Sequence, residues 1–303
     1  MQQWTTDEMP DCSGRTAVVT GANSGLGYEA TRELARAGAH VVMACRSVDR
    51  ARRAEASISG DIEGASLSVF ELDLASLSSI EAFAEALTDD LARLDVLCNN
   101  AGVMALPRAE TDDGFESQFG INHLGHFALT GRLLGLLEAA PEPRVVTHSS
   151  GMHARGSIDF EDPHGETSYD RWDAYAQSKL ANVLFAYELD RRHGDRLSSL
   201  ACHPGWAATN LQRRGPERMG SRLRALGMRA ANRLFAQSPK RGALPLLYAA
   251  TAPDVSGGEY IGPDGFLNMR GYPEPQRSSE RSYDEALAER LWSLSESETG
   301  VTY

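Results

Sequence analysis

Tyr175 and Lys179 lie four residues apart in the run Asp173-Ala174-Tyr175-Ala176-Gln177-Ser178-Lys179-Leu180. The apolar residues that follow, Leu180, Val183, Leu184 and Tyr187, repeat at helical spacing, so the segment reads as a helix. Residues four apart share one helix face, so a phenol and an ammonium meet the same space. A nearby cation favours the phenolate. The spacing therefore predicts a tyrosine pKa below its ordinary value of about 10. Such a phenol can give and take protons near neutral pH. The same pair also occurs on many helices that do no chemistry, so its meaning depends on the rest of the chain.

A second group of residues reads as a dinucleotide site. Gly21-Ala22-Asn23-Ser24-Gly25-Leu26-Gly27 follows a short apolar run, Arg15 to Thr20, and a helical pattern (Ala30, Leu34, Ala37) opens at once. Strand, glycine turn, helix is the context of a phosphate-binding loop. Glycines allow close backbone approach, and a new helix offers free N–H groups and its positive dipole end. The second strand, His40 to Ala44, ends in Cys45-Arg46-Ser47 with no acid in the place that would select NAD through a ribose hydroxyl. The Arg46 fork can pair with a 2′-phosphate and Ser47 can add a hydroxyl, which points to NADP(H) over NAD(H). Asp73-Leu74 ends the third strand. Its carboxylate can accept from an adenine amino group or cap the helix starting near Ser76. Asn99-Asn100-Ala101-Gly102 ends the fourth strand, where a backbone must approach a ligand. Ser149-Ser150 ends the fifth, and Pro204-Gly205 follows the sixth.

Strands and helices alternate from residue 15 onward, which predicts an α/β chain with a doubly wound parallel sheet, its ligand at the carboxyl ends of the strands. The remaining helices are expected at residues 48–59, 76–91, 114–137 and 284–299, with another from Pro239 to Ala250. The long 114–137 helix contains Asn122, a residue type that within an apolar helix is more often a packing amide. Residues 1–14 read as a leader strapped to the surface by Trp4, residues 258–262 as the last strand, and residues 152–171 as a polar connection without an element. Residues 210–238 are rich in arginine interleaved with Met219, Leu223, Leu226, Met228, Leu234 and Phe235. They read as a helical substrate lid, or as a basic amphipathic segment resting on an anionic membrane. Residues 1–303 are expected to form one domain with this lid.

Composition narrows the function classes. A net charge of −12 argues against non-specific nucleic-acid binding. Lys179 and Lys240 are the only lysines, which fits a GC-rich genome or an acidic surface suited to high salt. Cys12, Cys45, Cys98 and Cys202 are scattered without a metal or disulfide spacing, and the histidines show no ligand spacing either, so no metal is expected. The acidic N-terminus does not read as a secretory signal, and no apolar run approaches the roughly 20 residues of a membrane span. The expectation is a cytoplasmic protein.

Thr20–Gly27, Asp73, Asn99–Gly102, Asn122, Ser150, Tyr175, Lys179 and Pro204–Gly205 together resemble the short-chain dehydrogenase/reductase family over nearly the whole chain. The wide serine–tyrosine separation, Ala44-Cys45-Arg46, and the run Ser178 to Phe185 are similar to the retinol dehydrogenase and protochlorophyllide reductase branch. The resemblance implies hydride transfer between a nicotinamide and a carbonyl or alcohol carbon. Tyr175 would be the general acid/base and Ser150 would hold the substrate oxygen. Lys179 would bond the nicotinamide ribose, Asn122 would hold a water linking Lys179 to solvent, and Thr209 would bond the carboxamide. Thr147-His148 stands where many relatives have Asn and Val. The hydrophobic N-terminal anchor of membrane-bound retinol dehydrogenases is missing, so retinoid specificity is not implied. Many relatives assemble through the helices holding Asn122 and Tyr175, although the 151–171 connection could obstruct a homo-oligomer of that kind. The other readings are a non-catalytic NADP(H) sensor and a reductase of carbon–carbon double bonds.

Overall fold

The computed structural model describes residues 3–206 and 237–303. Eight strands form one sheet in the order β3-β2-β1-β4-β5-β6-β7-β8. They are β1 (Thr16–Thr20), β2 (His40–Cys45), β3 (Leu67–Glu71), β4 (Val96–Asn99), β5 (Arg144–His148), β6 (Ser198–Cys202), β7 (Tyr260–Pro263) and β8 (Pro273–Gln276). All neighbours run parallel except β7 and β8. Chain order reverses between β1 and β4, the place where such sheets open a crevice for a ligand.

Helices cover both faces of the sheet because successive strand residues point to opposite sides. Ala17 and Val19 join the layer that holds Ala30, Leu34, Ile58, Leu246 and Leu247. Val18 joins the other, with Ile80, Phe83, Phe127, Leu133, Phe185 and Trp292. Between the strands run α1 (Gly25–Arg36), α2 (Val48–Asp61) and α3 (Leu77–Asp90). After β4 come a short α4 (Ser117–Phe119), a π-helical turn Gly120–Leu124 and α5 (Gly125–Glu138). Then follow α6 (Arg171–His193), α7 (Pro239–Gly242), α8 (Leu244–Thr251) and α9 (Glu285–Thr299). The lid expected over 210–238 lies outside the described residues up to position 236, as does Thr209.

Most expected elements are present, and three differ. The helix expected from Gly114 begins at Ser117, where the Glu116 carboxylate accepts from Gln118 N and Phe119 N. It also widens at Asn122, for the N–H of Gly125 reaches back to Gly120 O, five residues away. Residues 258–262 are not the last strand, because β8 adds an antiparallel edge after β7. Its two prolines hide it from a strand reading, yet proline suits an edge that needs fewer donors. The 152–171 connection opens with a 3₁₀ turn, Gly151–Arg155, and ends where Asp170 caps α6 through Trp172 N and Asp173 N. The leader behaves as expected: Trp4 meets Tyr248 edge-on at 5.2 Å, and Cys12 N donates to Ala37 O.

Candidate active site

A cleft opens at the carboxyl ends of β1, β2, β3 and β4. Gly21, Asn23, Ser24, Gly25, Leu26, Gly27, Arg46, Ser47, Asp73, Leu74, Ala101 and Gly102 all line it. Gly25 has φ +59°, which favours glycine, and it starts α1. A Cβ on Gly27 would stand 2.5 Å from both Gly21 O and Asn100 Nδ2, so only glycine lets the turn close. Ser24 occupies the cap position of α1 without a side-chain cap bond, which leaves first-turn N–H groups without a side-chain cap at the cleft. Arg46 is 62% exposed and lies 3.9 Å from Asp73. Of the two roles open to Asp73, the cap of α3 falls to Ser76, whose hydroxyl accepts from Ser79 N. Asp73 itself accepts from Ala75 N and faces Arg46.

The residues expected to handle protons sit beside this cleft. Asp170 starts α6, and helical spacing then sets Tyr175 and Lys179 on one face with Nζ 5.8 Å from the ring centroid. Lys179 Nζ donates to His148 O at 3.1 Å, and Ser149 Oγ donates to Lys179 O at 2.7 Å. Ser149 is thus held to backbone, while the half-buried Ser150 stands beside the Tyr175 phenol and opposes the rise of its pKa. His153 steadies the serine turn: Nδ1 donates to Ser150 O at 2.7 Å and Nε2 accepts from Ser279 N. Asn122 Oδ1 accepts from Val103 N, and its Nδ2 donates to Val103 O and Ser178 Oγ. Ser178 Oγ donates in turn to Tyr175 O. A Cβ on Gly102 would stand 2.9 Å from Asn122 Oδ1 and 3.6 Å from Lys179 Nζ, so Gly102 is where the cleft meets these groups.

The electrostatics overturn one expectation. Burial pushes the Tyr175 phenol up to about 12, against the opposing effect of Ser150. It also pushes Lys179 down to about 8. The neighbouring ammonium does not acidify the phenol here, because both groups are buried and desolvation disfavours each charged form. At neutral pH the phenol holds its proton.

Other expected positions fall elsewhere. Asn99 is buried and points away from the cleft, its Nδ2 donating to Thr130 Oγ1 on α5. Asn100 lines the cleft instead, with Thr20, Arg50, Val103, Met104, Leu106 and Ile121. The strand period carried a signal for this: Leu97 and Asn99 share a face, and Leu97 belongs to the layer under α5. Arg50 was also detectable, four residues after Arg46 at a helix start. Pro204 and Gly205 lie at the neighbouring end of β6, tied to the 264–272 turn. Gln237 Nε2 donates to Pro204 O, and Met269 O stands where a Gly205 Cβ would need to be. That turn exposes Phe266 (78%) and Leu267 (72%).

A glycine-turn crevice at the switch point of a mostly parallel sheet, with a buried Tyr–Lys pair and a serine hydroxyl at its side, places the chain in the Rossmann class of α/β folds. The chain belongs to the short chain dehydrogenase family, whose profile matches residues 15–219. It is similar to "Retinol dehydrogenase 14" of Mus musculus, with 42% identity covering 95% of this chain and 86% of the relative. "Polyprenol dehydrogenase" of Mus musculus is 40% identical, covering 92% and 84%. Among solved structures, an uncharacterized protein from Mycobacterium Paratuberculosis superposes with a TM-score of 0.82 and 42% identity, covering 100% of this chain and 99% of that one. A short chain dehydrogenase from Shigella flexneri 2a str. 301 complexed with NADP gives 0.65 and 25%, covering 84% and 98%. The chain is therefore an oxidoreductase of the retinol dehydrogenase-like branch. Among the described residues, no helix is long and apolar enough to cross a membrane.

Proposed function

We propose that the protein interconverts a carbonyl and an alcohol with NADP(H), Tyr175 being the general acid/base. The observation that carries this reading is the Tyr175 phenol beside Ser150, with Lys179 one helical turn away and Gly102 of the cleft at its side. The cleft suits a dinucleotide: Gly27 lets the turn close at its floor, α1 offers uncapped N–H groups, and Arg46 with Arg50 gives two guanidiniums for a 2′-phosphate. Similarity to an NADP-complexed dehydrogenase supports the same choice. When bound, the nicotinamide would supply or take up the hydride.

The chain's residues handle the proton. In reduction the Ser150 hydroxyl donates a hydrogen bond to the substrate oxygen and stabilises its growing charge. Tyr175, protonated at neutral pH, transfers its proton to that oxygen. The phenolate left behind is stabilised by the Lys179 ammonium, and the proton is restored through Lys179. Oxidation runs these transfers in reverse. Asn122 fixes the backbone at Val103 and anchors Ser178, which holds the turn of α6 that carries Tyr175. Relatives named for retinol and polyprenol, with the exposed Phe266–Leu267 turn, favour an apolar primary alcohol or aldehyde.

The test is a titration with NADPH and NADH followed by fluorescence transfer from tryptophan, then a screen of long-chain aldehydes with NADPH. Tight NADPH binding, weaker NADH binding and aldehyde turnover are expected. Binding without turnover of any carbonyl would favour a sensor, and no binding would sink the enzymatic reading.

A further inference from the structure

Strands β1, β4 and β5 lie side by side, and side-chain hydrogen bonds join their carboxyl ends across the sheet edge. Asn100 Nδ2 donates to Thr20 O at 2.7 Å, while Asn100 N and Ala101 N donate to Thr20 Oγ1 at 2.9 and 2.8 Å. These bonds place the NH₂ group of Asn100 against the glycine turn, 2.5 Å from where a Gly27 Cβ would stand. The amide oxygen then faces β5. There His148 Nδ1 lies 3.1 Å from Asn100 Oδ1.

This geometry fixes the imidazole tautomer. An amide oxygen can only accept, so His148 Nδ1 carries the hydrogen and donates. Nε2 keeps its lone pair and is buried without a partner among the described residues. Burial and the Lys179 charge both hold the ring neutral. If the Asn100 amide were flipped, its oxygen would face Thr20 O, a repulsive contact, and the His148 hydrogen would have to move to Nε2 before Nδ1 could accept from the NH₂. The same flip would present a carbonyl oxygen to the glycine turn. Thr20 O thus sets the amide orientation that places N–H at the glycine turn, and the His148 donor adds a second hold on it. The carbonyl of His148, meanwhile, accepts from Lys179 Nζ and Asn182 Nδ2, bonds that do not depend on which side chain occupies position 148.

We propose that His148 is a positioning residue for cofactor binding, which locks Asn100 with its NH₂ group toward the glycine turn where the pyrophosphate would lie. This rests on the reading that the cleft binds NADP(H). The Nδ1 atom of histidine and the Nδ2 atom of asparagine occupy similar places along the side chain, whereas the amide nitrogen of glutamine reaches further. His148→Leu therefore removes the donor, His148→Asn restores it, and His148→Gln misplaces it.

The experiment measures NADPH dissociation constants, kcat at saturating NADPH, and melting temperatures for the full chain and the three variants. His148→Leu should weaken NADPH binding about tenfold, the effect of one buried hydrogen bond lost with its partner left unpaired, while kcat stays within about threefold. His148→Asn should return the constant to within about threefold of wild type, and His148→Gln should not. Wild-type NADPH affinity in His148→Leu overturns the proposal. So does equal weakening in all three variants that follows their loss of melting temperature, since that would be a packing effect alone. If the wild-type protein bound no NADPH, the cofactor reading would fall and this role with it. A binding wild type beside an unaffected His148→Leu would remove this role only.

Discussion

At one end of the cleft, Arg46 stands largely in solvent, 3.9 Å from a half-buried Asp73, with Arg50 lining the same cleft from the first turn of α2. At the other, Lys179 and Tyr175 are buried, and the ammonium is tied to the His148 carbonyl. The exposed end keeps its charges hydrated and adjustable, so the nucleotide recognition proposed there would be screened by salt and graded. The closed end shifts pKa values far from their ordinary range, with the phenol up and the ammonium down. Selectivity for a nucleotide tolerates the first environment, whereas directed proton transfer needs the second.

Substitutions at the two ends should separate accordingly. Tyr175→Phe removes the proposed proton donor but little volume. It should lower kcat by about 10³-fold, within the range of general acid–base contributions, and leave NADPH affinity within about twofold. Turnover near wild type would take Tyr175 out of the mechanism. Gly27→Ala forces a methyl against Gly21 O and Asn100 Nδ2. Its NADPH dissociation constant should rise about 10- to 100-fold, as expected for overpacking beside a rigid backbone. An unchanged constant would mean that the turn does not seat the cofactor.

Smaller effects sharpen the contrast. The Lys179 ammonium is present below about pH 8 and is lost above it, whereas Tyr175 stays protonated to about 12. The reduction rate should therefore fall as pH rises through 8, by at most about tenfold per unit. Arginine stays charged throughout, so in Lys179→Arg the rate should be lower but free of that decline. A wild-type profile flat to pH 10 would exclude the ammonium as the titrating group. Last, Arg46→Asp should reduce the NADPH-over-NADH preference by about five- to tenfold and weaken its dependence on salt, both checked by fluorescence titration. An unchanged ratio would pass the selecting role to Arg50.

Much of the open end of the cleft was legible because its signals are local. Strand, glycine turn and helix follow one another within about twenty residues, and Arg46 is fixed by the end of an apolar run. Asn99 misled because two adjacent amides look alike until the strand period assigns each a face. Strand β8 stayed hidden because Pro273 and Pro275 suppress the pattern of a strand, and only its pairing with β7 reveals it. The turn at Asn122 depends on backbone packing: a Gly125 Cβ would stand 2.5 Å from Leu74 O, a contact that helical periodicity does not encode.

The sequence by itself determined the alternating fold, the glycine turn and the pairing of Tyr175 with Lys179 on one face, since each follows from repeat distances along a single element. Tertiary structure alone decided the charge states and partners. The spacing of Tyr175 and Lys179 predicts an acidified phenol, but the surrounding core raises its pKa instead, because desolvation depends on everything packed around a group. His148 shows the same division. It is an uninterpreted residue in the sequence, and its neighbours Asn100 and Lys179 come from just after β4 and from α6, 48 and 31 residues away. Hydrogen bonds of that range exist only after the sheet has assembled.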